Sequence, residues 1–400
     1  MLVASNHEIG QAICDQVCEY NSLSQKADCN RQNLYYVPSS KGCEDSITLS
    51  LDFNHIEELS DGSLLGYNHL QNLYISENSL LGIHNGTFND SRHLQNLVLS
   101  VNNISALHSS TFRGAETLLT INLNRNKIQD IDKDAFHSLN QLVALRLSSN
   151  KIRSLPPTVF HDLHELQDLA LDNNILEAIS DQSFKHLPKL RSLSLRRNKL
   201  TELPYGLFGR LNSLKEVFLS ENNLHNIPPF PVLGINSVDL FYLDHNNLTT
   251  SDTITTYLYI ARVQLPIGSN PFKCDCSFLN LQMWHLNQKT APNDFLGGSV
   301  MCSREDAQYS LDDVLPFDCK AEYSNPTPYS LTTPRTTSFT SVKSPQTDDN
   351  RFLTTQTIND NEGGFKTSVW FIFFVILFFY SVISTTILIK WFLCRENHTI

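Results

Sequence analysis

The stretch FHDLHELQD, residues 160–168, gathers the groups on this chain that come nearest to a catalytic set. His161, His164 and Glu165 offer two imidazoles and a carboxylate, the donors of a zinc hydrolase. Their order matches neither His-Glu-x-x-His nor His-x-x-Glu-His. The chain also has no glycine-rich phosphate loop and no nucleophile elbow. The three residues therefore read as an exposed polar loop. No metal and no cofactor is expected, and the chain is expected to be a binding module and not an enzyme.

Cysteine is the other reactive group. Four cysteines come early (Cys14, Cys18, Cys29, Cys43), four come late (Cys274, Cys276, Cys302, Cys319), and Cys394 stands apart. Two even clusters favour disulfides and an oxidising compartment. A zinc reading lacks histidines or a second cysteine pair at the needed spacing. Four glycosylation sequons agree with export, at Asn85, Asn89, Asn103 and Asn247. Asn85 and Asn89 are the favoured acceptors, since Asn103 and Asn247 each follow a repeat asparagine at a crowded edge.

The elements between the clusters come from a repeat. LRLSSNKIRSL, residues 145–155, alternates leucines as a half-buried strand does and then places an asparagine. That asparagine recurs every 24 residues: Asn54, Asn78, Asn102, Asn126, Asn150, Asn174, Asn198, Asn222, Asn246 and Asn270. Leu or Ile stands three residues earlier in every repeat, and an apolar residue two before that. Phenylalanine stands ten residues later in six consecutive repeats, Phe88 to Phe208. A fixed period of this length marks a solenoid, in which stacked coils bury a core that no coil buries alone. The buried asparagine amides are expected to bond backbone groups that the strand pairing leaves over and to stack as a ladder, and the phenylalanines to fill the wide convex side.

These columns resemble the leucine-rich repeat family in its 24-residue class, over about residues 46–320. The resemblance implies an α/β repeat fold, a curved horseshoe solenoid with one short parallel strand per coil and a disulfide cap at each end. Residues 1–45 would form the N-terminal cap, 46–261 nine repeats and 262–320 the C-terminal cap. NPFKCDCSFLNLQMW, from Asn270 to Trp284, resembles the C-terminal flanking cap of extracellular members. That likeness implies Cys274–Cys302 and Cys276–Cys319, with Trp284 in the cap core. The N-terminal cluster fits less closely, with Tyr20 where the family has a third cysteine. Keeping the family's second-to-fourth bond gives Cys18–Cys29 and leaves Cys14–Cys43.

Beyond the cap the composition changes. Residues 321–367 are rich in Ser, Thr and Pro and read as a disordered stalk, either O-glycosylated or a plain linker. Residues 368–389 carry no charge and would span about 33 Å as a helix, enough to cross a hydrocarbon core of about 30 Å. Trp370 and Trp391 bracket the segment, and Lys390 and Arg395 follow it, which places 390–400 in the cytosol. A lipid-anchor signal is the rival reading. Cys394 is either an acylation site or a free thiol. The N-terminus shows no signal peptide, so truncation of the sequence is expected.

The strand residues between core positions face the concave surface. Tyr74, Phe218 and Tyr242 are expected there as exposed aromatics. Arg125, Arg146, Arg191, Arg196, Arg197 and Lys215 are expected as a basic patch on a chain of net charge −11. These nine read either as a docking surface for an acidic protein or glycan, or as an ordinary solvated face. Overall acidity argues against nucleic acid. The expectation is a single-pass plasma-membrane recognition protein, its N-terminal side extracellular, with a protein or glycan ligand. Homophilic or co-receptor partners would fit the short tail. The alternatives are an innate-immune receptor resembling Toll or jawless-vertebrate variable lymphocyte receptors, and a matrix-organising protein.

Overall fold

The computed structural model describes residues 13–228, 238–260, 263–287, 296–297 and 299–313. The stalk, the 368–389 segment, the tail, Cys319 and Cys394 lie outside them. Among the described residues no helix is long and apolar enough to cross a membrane.

The Leu-x-Leu columns form one sheet of eleven strands. Nine of them, from Thr48–Ser50 to Leu240–Tyr242, are parallel and follow one another at the 24-residue step. The register is invariant: Leu49 faces Leu73, and Leu145 faces both Ile121 and Leu169. The middle residue of each of these nine strands is buried because its side chain enters the solenoid, while its neighbours are less buried apart from Ser50 and Ala144. The sheet extends into the N-terminal cap. There the hairpin Glu19–Asn21 and Lys26–Asp28 is antiparallel within itself, and its second strand pairs parallel with Thr48–Ser50. Helix is confined to the two ends, at Cys14–Val17, Asp252–Ile260 and Cys276–Leu286 among the described residues.

The asparagines bond the leftover backbone groups, as the sequence implies. Asn150 Nδ2 donates to Leu147 O of its own coil at 2.9 Å and to Leu123 O of the preceding coil at 3.0 Å. Its Oδ1 accepts from Ile128 N–H at 3.0 Å. The same pattern repeats at Asn102, Asn126, Asn174, Asn198, Asn222, Asn246 and Asn270. The amides bond backbone and not one another, because each strand end leaves a carbonyl that the strand pairing does not use. Asn78 is only half-buried.

The residue before each asparagine adopts a left-handed backbone. It does so at Phe53, Glu77, Val101, Arg125, Ser149, Asn173, Arg197, Glu221, His245 and Ser269, with φ between 51° and 59°. This turns the chain off the strand and sends the asparagine inward. Val101 is the poorest fit, since a β-branched side chain crowds its own backbone there. Val101→Asn is therefore expected to stabilise by about 1 kcal/mol, raising Tm by about 2–4 °C. A lower melting temperature by calorimetry would count against this account.

On the convex side the phenylalanines stack ring on ring. Centroids from Phe88 to Phe184 are 5.9–6.4 Å apart, with ring planes within 26°. Short parallel pairs also form here, Glu58–Leu59 with Gly82–Ile83 and Ala106–Leu107 with Asp130–Ile131. In the latter pair Asp132 N–H donates to Leu107 O at 2.9 Å. The equivalent residue one coil later is Pro156, which has no N–H to donate, so that bond cannot continue.

The caps close both ends. Disulfides join Cys14 to Cys43, Cys18 to Cys29 and Cys274 to Cys302. Cys276 is also disulfide-bonded; the expected partner, Cys319, lies outside the described residues. Asp275 caps the Cys276–Leu286 helix by accepting from the Ser277 and Phe278 N–H groups. That helix buries Phe278, Leu281 and Trp284.

Candidate ligand-binding face

Register decides which concave residues meet. Phe218 and Tyr242 are direct partners on the last two strands of the sheet. Their rings stack at 4.9 Å with planes 16° apart. Each is half-buried by the other and not fully exposed, contrary to the sequence expectation. Tyr74 is half-buried too and stands six strands away from Phe218, about 29 Å at about 4.8 Å per strand. It belongs to another part of the face.

Half of the basic patch is ion-paired. Glu221 accepts from Arg197 Nε at 2.7 Å and Arg196 Nε at 2.9 Å, and Arg196 Nη2 also contacts it. Arg197 and Arg196 together hold the Glu221 carboxyl below the usual range. Lys215 pairs with Asp239 at 3.2 Å. The cause is the period, because Glu221 and Asp239 stand 24 residues after Arg197 and Lys215 and so lie beside them in the next coil. Arg125, Arg146 and Arg191 are exposed and form no ion pair among the described residues.

Elsewhere the concave face carries hydrogen-bonded polar rows. Asn72 donates to Thr48 at 3.1 Å, Asn96 to Asn72 at 2.6 Å, and Thr120 to Asn96 at 2.7 Å. Ser148 donates to Asp172 at 3.1 Å, and Asp172 also accepts from Ser194 Oγ and the Arg196 N–H. These side chains satisfy one another along the sheet, which leaves the aromatic pair as the large apolar feature of the C-terminal coils.

The repeat geometry has a counterpart in sequence families. The leucine rich repeat model matches residues 48–104, 92–152, 140–200 and 188–248, together 48–248, half of the 400-residue chain. The chain belongs to the leucine-rich repeat family. No curated protein matches it. Among solved structures it is similar to a chain of the octameric complex of Latrophilin 3 (Lec, Olf), Unc5D (Ig, Ig2, TSP1) and FLRT2 (LRR). That match has a TM-score of 0.55 and 22% identity, and covers 68% of this chain and 90% of the other. At that identity it establishes the shared leucine-rich repeat fold.

The remaining sites are simply placed. Asn85, Asn89 and Asn247 are exposed and Asn103 is half-buried, so the crowding expected at Asn247 is absent. Tyr35 and Tyr36 are a further exposed pair, not among the residues singled out from the sequence. Both are more than half exposed beside the N-terminal cap, where they line a cleft with Glu57, Glu58, Leu81 and His84. An adjacent aromatic pair just before a repeat array was the available signal.

Proposed function

We propose that this leucine-rich repeat chain is a single-pass cell-surface recognition protein, acting in adhesion or as a receptor or co-receptor. It binds a protein ligand through the concave surface of its C-terminal coils. The observation that carries the reading is the stacked Phe218–Tyr242 pair, an aromatic platform on the last two strands of the sheet. Aromatic anchors dominate protein interfaces. The disulfide caps support an extracellular setting, and the uncharged 368–389 segment supports a membrane anchor. The fold relative in a complex with Latrophilin 3 and Unc5D supports a protein partner.

A glycan or matrix ligand is the second reading. The ion-pairing of Arg196, Arg197 and Lys215 weakens it, and only Arg125, Arg146 and Arg191 remain to carry it. An immune receptor that depends on a co-receptor would use the same face.

The test displays the chain behind a surrogate leader on non-adherent cells and counts clusters. Surface staining with clustering is expected. Phe218→Ala with Tyr242→Ala is expected to remove the clustering, since an aromatic hot spot contributes about 2 kcal/mol, about 30-fold in affinity. Clustering that survives both substitutions would sink the role of the pair. Staining without clustering would turn the search to a heterologous ligand. Absence of staining on intact cells would sink the cell-surface reading.

A further inference from the structure

We propose that His137, His161 and Asp162 form a binding site for a transition-metal dication, with Zn²⁺ the best match, on the outside of the solenoid.

The repeat builds the site. His137 and His161 each follow a stacked phenylalanine, Phe136 and Phe160, so the 24-residue step lays one imidazole over the other. The rings are 6.2 Å apart and 12° from parallel. Asp162 stands against both. Its Oδ2 is 2.7 Å from His137 Nδ1, and its Oδ1 is 2.9 Å from His161 Nε2. The three donor atoms all lie within 4.8 Å of one another. Ligands about 2.0–2.1 Å from a tetrahedral zinc stand about 3.3 Å apart, so small side-chain movements would close this set around an ion.

The carboxylate is anchored before any ion arrives. Ser138 N–H donates to Asp162 Oδ2 at 3.0 Å, and Ser138 adopts φ 67° to aim it there. Asp162 is mostly buried, whereas His137 and His161 are open to solvent. A fixed carboxylate with two accessible imidazoles suits zinc better than calcium or magnesium, which prefer sets of oxygen ligands. Three protein ligands leave a fourth position for water or an outside donor.

The neighbouring groups of the same loop are already engaged. Glu165 pairs with Lys189 at 2.6 Å, and His164 Nδ1 meets the Asp162 carbonyl at 2.8 Å. The ligand set therefore crosses two coils, which is why the spacing within residues 160–168 matches no metal motif.

The test titrates Zn²⁺ into the full chain against a chromogenic chelator. Three variants are compared with wild type: His161→Ala, the His137→Ala/His161→Ala double, and His164→Ala as a control outside the set. Wild type and His164→Ala are expected to take up one equivalent more than the double variant. His161→Ala alone is expected to bind at least about tenfold more weakly. Equal uptake and affinity in wild type and double variant would overturn the site. Co²⁺ gives a second readout: ligand-field bands present in wild type are expected to vanish in the double variant, and bands of equal strength in both would also overturn it. Both imidazoles are exposed, so their removal leaves the coil core intact, which circular dichroism checks.

Discussion

Asn150→Ala is expected to destabilise the solenoid by about 3 kcal/mol, although it removes no apolar contact of any size. The amide of Asn150 makes three good hydrogen bonds in a buried place, to Leu147 O, Leu123 O and the Ile128 N–H. Alanine leaves the Ile128 N–H without its acceptor and takes one of two amide donors from each carbonyl, since Leu123 O still accepts from Asn126 and Leu147 O from Asn174. The unsatisfied buried N–H costs about 1–3 kcal/mol, and the two weakened carbonyls bring the total to the upper end of that range. Asn78→Ala provides the internal comparison. Asn78 is half-buried, so water can replace part of what is lost, and about half the cost is expected. Asn150→Asp keeps an acceptor for Ile128 but points a carboxylate at two carbonyls. Its penalty should be largest at neutral pH and should shrink as acid protonates the group, because the buried site raises the pKa of such a carboxyl. Denaturant unfolding of the three variants decides. A cost for Asn150→Ala under 1 kcal/mol, or equal costs at positions 150 and 78, would mean the amides are not what joins coil to coil.

Much of this architecture is legible in the sequence because a solenoid writes its contacts at a fixed interval. The columns of leucine, asparagine and phenylalanine give the strands, the turn and the convex core before any coordinate is known. The left-handed position before each asparagine is not legible, since it is held by Phe53, Glu77, Val101 and Arg125 as readily as by Asn173. No glycine signals it, because the surrounding hydrogen bonds impose the conformation on whatever residue stands there. The ion pairs of the concave face are hidden for a related reason. Arg196, Arg197 and Lys215 count as three free cations when each coil is inspected alone. They are ion pairs once residues 24 or 25 apart are placed side by side. The histidine cluster follows the same rule, joining His137 to a loop 24 residues downstream. In a repeat protein the site lies across coils, so a motif sought along one coil is sought in the wrong direction.

Phe160→Ala is expected to be the most damaging single change on the convex side, at about 4 kcal/mol. Phe160 is 1% exposed and lies between Phe136 at 5.9 Å and Phe184 at 6.4 Å. Removing the ring leaves a cavity bordered by two rigid neighbours, which cannot collapse into it without losing their own stacking. Phe160→Leu retains most of the volume and should cost less than about 1.5 kcal/mol. The damage should also have a direction. Each coil touches only its neighbours, so stability is close to a sum of coil terms and interface terms. Weakening the interfaces on both sides of Phe160 should lower protection from hydrogen exchange in the adjoining strands, Ala144–Arg146, Asp168–Ala170 and Ser192–Ser194. The capped N-terminal strands near Leu49 should keep theirs, since the Cys14–Cys43 and Cys18–Cys29 bonds hold that end independently. Uniform loss of protection along the whole array would show that the solenoid unfolds as one cooperative block, and the nearest-neighbour account of the phenylalanine stack would then be wrong.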